Sequence, residues 1–229
     1  MHYGFDMTYL LVLIGAGISA WAGWQVSSTF SKYASVRSTA GMTGAEVARV
    51  ILDRNGLHGI RVERVAGNLT DHYDPSAKTV RLSDATYASS SVAAVGVAAH
   101  ECGHAVQDKV SYTPLRIRTA IVPAANLGSR LGLPIVILSL VLGLNYIFAQ
   151  IGIWLFMFGV AFQLVTLPVE FNASRRALQM LSDYNILSKD ERSLSRQVLV
   201  AAALTYVAGA LSALLQLLRL YLLSQRRRR

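Results

Sequence analysis

Long uncharged runs alternate with polar stretches along this chain of 229 residues. The uncharged runs cover residues 7–26, 131–169 and 198–218. About 20 apolar residues suffice to cross a bilayer as a helix. Residues 131–169 make nearly twice that, so they predict two crossings with a turn near Gly143, Asn145 and Gln150. Trp21 and Trp24 lie near the end of the first run, where interfacial aromatics gather. That run lacks the basic start of a cleaved signal peptide and is long for one, so it is read as a span. The pattern therefore predicts four transmembrane helices.

The polar stretches carry shorter periods. Thr43 followed by Glu46 is a capping-box pattern, predicting a helix over 44–54 that Gly56 stops. Residues 60–65 (IRVERV) alternate apolar and charged side chains, as a half-buried strand does. Residues 68–83 (NLTDHYDPSAKTVRLS) predict two short strands around an Asp74-Pro75-Ser76 turn. The second of them, 78–83, is a candidate edge strand for aligning an extended substrate by strand addition, with plain sheet structure an equal alternative. Ser89, Ser90 and Ser91 offer an N-cap to a helix over 92–108. Residues 170–197 have helical spacing. A two-helix hairpin returns the chain to the side it left, so this segment is expected on the same membrane face as the polar region 28–120. The expected organisation is a first span over 1–27, a domain over 28–120, a hairpin over 121–169, a polar helical segment over 170–197, and a last span with a basic tail over 198–229.

Composition agrees: 53% of residues are hydrophobic and 15% charged, against about a quarter charged in ordinary soluble domains. The net charge of +9 does not point to nucleic acid. Four of the positive charges are Arg226 to Arg229, and others flank the spans, a placement suited to anionic headgroups of a lipid bilayer. Basic and aromatic residues do not interleave as they would for base stacking. Four crossings put both termini on one side. Lys32, Arg37, Arg116, Arg118, Arg175, Arg176, Arg192 and Arg196 outnumber the tail arginines, favouring a cell-membrane protein with its polar domain in the cytoplasm. The single cysteine, Cys102, excludes an intrachain disulfide.

The helix over 92–108 carries His100-Glu101-Cys102-Gly103-His104, an H-E-x-x-H pattern. Residues four apart share a helix face, so both imidazoles can aim at one zinc ion. Glu101, about 100° around the helix, can lean over the site as a base without binding the metal. Chance yields this pattern in fewer than about one such chain in a hundred. Gly103 costs about 1 kcal/mol of helix stability against alanine, and close approach of a neighbouring backbone would offset it. Cys102 falls on the opposite side and reads as a core thiol. A catalytic zinc needs a third protein ligand. Glu170, directly after the hairpin, is the best-placed candidate, and its alternative reading is a carboxylate that ends a crossing. For an oxyanion donor, His72, Tyr73 and Arg175 are candidates, with His72 preferred.

The stretches AAHECGHAVQD and QLVTLPVEFNASRRAL, with the order of spans, resemble the YugP-like neutral zinc metallopeptidases, prokaryotic membrane proteins similar in turn to HtpX-like membrane proteases. The likeness covers nearly the whole chain. It implies a gluzincin arrangement with one zinc per chain: His100, His104 and Glu170 as ligands, Glu101 as base, and a polypeptide substrate. The implied fold is a mainly α membrane protein of about four transmembrane helices, with a small α+β zincin-like catalytic domain between the first and second. HtpX-like proteins tend to have E-x-x-x-D at the third ligand. Here Ser174 replaces the aspartate, leaving open which groups orient the histidines. Three other classes fit less well. A site-two protease would carry its motif inside a span. A zinc-binding scaffold has no use for Glu101. A metal transporter would need strongly polar residues deep in the crossings.

Overall fold

The computed structural model describes residues 7–226. It is mostly helical, with one small sheet. Four helices are long and apolar enough to cross a membrane: α1 (Tyr9–Ala34), α5 (Thr113–Val141), α6 (Tyr146–Asp183) and α7 (Lys189–Arg226). The hairpin turn falls between Val141 and Tyr146, close to the position that Gly143 and Asn145 predicted. The helices run further than the uncharged stretches. A backbone hydrogen-bond ladder does not stop where side chains become charged, so α6 continues to Asp183 and α7 begins at Lys189.

The chain divides into two compact units. Among the described residues, one comprises 7–23, 116–168 and 205–226. Within it, α5 and α6 meet through glycines. A Cβ on Gly132 would come within 2.9 Å of the Gly152 carbonyl oxygen, and one on Gly152 within 2.8 Å of the Gly132 carbonyl oxygen. Small residues allow such backbone contact where lipid supplies no hydrophobic drive. Ser212 Oγ bonds the Gly15 carbonyl at 2.8 Å and Ser19 Oγ at 2.9 Å, joining α7 to α1. Large apolar side chains such as Ile14, Leu138 and Trp154 are exposed, as lipid-facing positions require.

The other unit comprises residues 24–115 and 169–204. Its extent differs from the expected domain over 28–120: the ends of α6 and α7 complete it, so it does not lie wholly between the first two spans. Its elements are α2 (Gly44–Arg54), β1 (Arg61–Val65), β2 (His72–Asp74), β3 (Thr79–Ser83), α3 (Asp84–Tyr87) and α4 (Val92–Lys109). The capping box forms, with Glu46 N donating to Thr43 Oγ1 and Thr43 N to Glu46 Oε2. Gly56, at φ +66°, follows the helix end. Ser91 caps α4 through Ala94 N. Val47, Ile51, Leu52, Val80, Leu82, Val92, Val95 and Leu181 form a buried core. Strand order is β1-β3-β2, with β3 parallel to β1 and antiparallel to β2. Strand β3 is therefore central, and the edge role expected for residues 78–83 does not hold. The edges are β1 and β2.

Candidate metal centre

Helix α4 is buried along most of its length. Cys102 is fully buried, its thiol directed at the Ala48 carbonyl of α2, and burial pushes its pKa up. That is the core role its position suggested. On another face, Gly103 meets α6: a Cβ there would stand 2.6 Å from the Ala173 carbonyl oxygen and 3.2 Å from Ala173 Cα. No residue with a side chain fits without moving backbone. The close approach that Gly103 called for is thus made by the helix that carries Glu170.

Three donor atoms converge there. His100 Nε2 lies 3.2 Å from His104 Nε2, and Glu170 Oε2 lies 3.3 Å from the first and 3.4 Å from the second. Glu170 is 2% exposed. Zinc binds nitrogen and oxygen at roughly 2.0–2.1 Å in a tetrahedron, whose edges are then roughly 3.3–3.4 Å. The three separations match those edges.

Hydrogen bonding around the donors points the same way. Arg176 Nε can only donate, and it lies 2.8 Å from Asn172 Oδ1, which fixes that atom as an acceptor. Gln107 Nε2 then donates to Asn172 Oδ1 at 3.0 Å and to the Val169 carbonyl at 2.8 Å. Gln107 Oε1 is left facing His104 Nδ1 at 3.0 Å, so that nitrogen carries the proton. In the neutral ring, the form that binds a metal, His104 Nε2 then presents a bare lone pair to a carboxylate oxygen and a second imidazole. Such a meeting of acceptors calls for a cation, and the two-imidazole, one-carboxylate set suits zinc. His100 Nδ1 pairs with Ser174 Oγ at 3.1 Å. Ser174 therefore orients one histidine, while Gln107, one turn along α4 from His104, orients the other. The sequence reading missed Gln107. Its i,i+3 spacing from His104 was visible, but its partners on α6 were not.

Glu101 stands beside the three donors without joining them. It is 7% exposed and makes no side-chain hydrogen bond among the described residues. Burial raises its pKa, against the pull of His100 and His104. Of the residues considered for the oxyanion, His72 and Tyr73 have other local partners. His72 is exposed on β2, its Nδ1 2.8 Å from the Thr70 carbonyl and its Nε2 3.5 Å from Arg81. Tyr73 donates to Asp108 at 2.8 Å, tying β2 to the end of α4. Arg175 is exposed on α6.

Comparison with known proteins agrees with this chemistry. The model of a family described as "Putative neutral zinc metallopeptidase" matches residues 8–225. The chain is 47% identical over 215 residues to "Putative membrane protease YugP" of Bacillus subtilis (strain 168), covering 93% of this chain and 95% of that protein. No solved structure matches. An H-E-x-x-H helix packed on a glutamate-bearing helix, in a chain matched along nearly its whole length, identifies this protein as a member of that zinc metallopeptidase family.

Proposed function

We propose that the chain is a membrane-embedded, zinc-dependent endopeptidase of the gluzincin type, with a zincin-like catalytic unit and one zinc per chain on His100, His104 and Glu170. The carrying observation is the convergence of those three donors at tetrahedral-edge spacing beside a buried carboxylate, Glu101, that has no hydrogen-bond partner among the described residues. When bound, the ion would act as a Lewis acid on the scissile carbonyl and acidify the attacking water. The remaining work falls to the chain. Gln107 and Ser174 hold the imidazoles. Glu101 accepts the proton from the attacking water and returns it to the leaving amine. Strand β2, paired on one side with β3, offers its other edge to an extended polypeptide.

Zinc removal tests this reading. Purified protein is expected to carry one zinc per chain and to cleave an unfolded polypeptide. Chelation should stop cleavage and added zinc restore it. Full cleavage by the chelated, metal-free protein would reject the proposal.

The catalytic unit is assigned to the cytoplasmic side of the cell membrane, on the count of basic residues flanking the spans. The arginine tail, one span further on, then lies outside, and a cysteine placed in it should be labelled by an impermeant thiol reagent on intact cells. Labelling only after the cells are opened would reverse the orientation.

A further inference from the structure

Two neighbouring cavities in the unit containing residues 169–204 share Ser193 and Arg196. The first, of about 450 Å³, lies between the end of α6 and the start of α7, and Lys189, Arg192 and Arg196 line it with Ser182 and Ser193. Asp183 is the acid on its wall. The second, of about 340 Å³, continues along α7 past Val200, Ala201 and Leu204, with Gln25 and Thr29 of α1 opposite.

The three cations follow i, i+3, i+7 spacing, so one face of α7 presents them together. Little in the chain neutralises them. Lys189 and Arg196 make no hydrogen bond or ion pair among the described residues, and Arg192 donates to the Ser182 hydroxyl instead of to an acid. The buried carboxylate nearest in sequence, Glu191, is already used: it accepts from Thr39 N at 2.6 Å, Thr39 Oγ1 at 3.1 Å and Ser188 N at 2.9 Å. Two residues beyond Arg196, the uncharged run 198–218 begins. Along about 12 Å of helix, from Arg196 past Gln197 to Leu204, the α7 side of the lining changes from cationic to aliphatic, facing the polar Gln25 and Thr29.

We propose that these joined cavities bind one anionic phospholipid, its phosphate on Lys189, Arg192 and Arg196 and an acyl chain along Val200, Ala201 and Leu204. A free phosphate would match the first cavity and leave the aliphatic one unexplained, and so would an acidic peptide. A phosphodiester carrying an acyl chain has the same order of chemistry as the lining, and basic pockets at the ends of spans favour such headgroups. The proposal needs the chain to sit in a bilayer but does not depend on zinc or on peptidase activity.

The test is a lipid titration of the full chain in neutral detergent, read by native mass spectrometry. Dioctanoyl phosphatidylglycerol is expected to bind once per chain, and more tightly than dioctanoyl phosphatidylcholine. At about five-fold per cation, Lys189→Gln/Arg196→Gln should weaken it by about 25-fold. The charge-keeping pair Lys189→Arg/Arg196→Lys should retain it, which guards against a mere folding defect. Neutralising Arg226, Arg227 and Arg228 serves as the charge control and should leave the single tight site intact. Unchanged binding by the Gln pair would overturn the proposal, as would equal affinity for the zwitterionic lipid. Displacement of the lipid by equimolar inorganic phosphate would overturn it too, assigning the first cavity to a free anion.

Discussion

Glu101→Gln is expected to lower peptide cleavage by about 10²–10⁴-fold and to leave zinc in place, the range that loss of a general base produces. The substitution keeps the side chain's shape. Glu101 has no hydrogen-bond partner among the described residues, so the amide breaks no existing bond. What it loses is the capacity to accept a proton. The donor atoms on His100, His104 and Glu170 are untouched, so metal content by elemental analysis should equal wild type. Stability supplies an independent check. Burial disfavours the charged form of Glu101, and a neutral amide removes that cost. The variant should unfold at the same temperature as wild type or a higher one. Cleavage of a fluorogenic peptide within tenfold of wild type would remove Glu101 as the base. Zinc loss in the variant would instead make it a ligand.

Much of the site could be read from local spacing. The i,i+4 histidines, the glutamate between them, the Ser91 cap and the Thr43–Glu46 box depend on contacts within one helix, and the structure places each where the spacing put it. Gly103 was legible as a demand for close approach, although its partner, Ala173, was not. The strands fell within a residue or two of expectation, yet their order did not follow. Placing β3 between β1 and β2 depends on pairings across loops, and no residue in 78–83 records which neighbour it takes. The compact units divide at other points than the charge pattern for a different reason. Charge marks where a span leaves lipid, whereas a helix ends where its backbone ladder ends, and in α6 those points are thirteen residues apart, Glu170 against Asp183. The Gln107 network is the least local feature. It joins α4 to Val169 and Asn172 on α6, and only the fold brings them together.

Glu170→Ala and Gln107→Met should separate binding a metal from orienting its ligands. Glu170→Ala removes a donor atom, and zinc affinity is expected to fall by more than about 100-fold, beyond the 10–100-fold that loss of an outer partner typically costs. Gln107→Met keeps the side chain's approximate volume but removes the acceptor for His104 Nδ1–H, so the ring can turn or change tautomer. Its affinity loss should stay within that 10–100-fold range. The metal-free proteins should rank the other way. Gln107 is fully buried and also donates to the Val169 carbonyl and Asn172. Losing those bonds costs about 1 kcal/mol or more, so metal-free Gln107→Met should melt below metal-free wild type. Glu170→Ala takes away a buried carboxylate that crowds two imidazoles, so its metal-free form should lose less. Competition against a chromophoric chelator measures the first ranking and thermal unfolding of the stripped proteins the second. Wild-type zinc affinity in Glu170→Ala would remove the third ligand. A Gln107→Met protein with unchanged affinity would show that the His104 tautomer is set by something other than this amide.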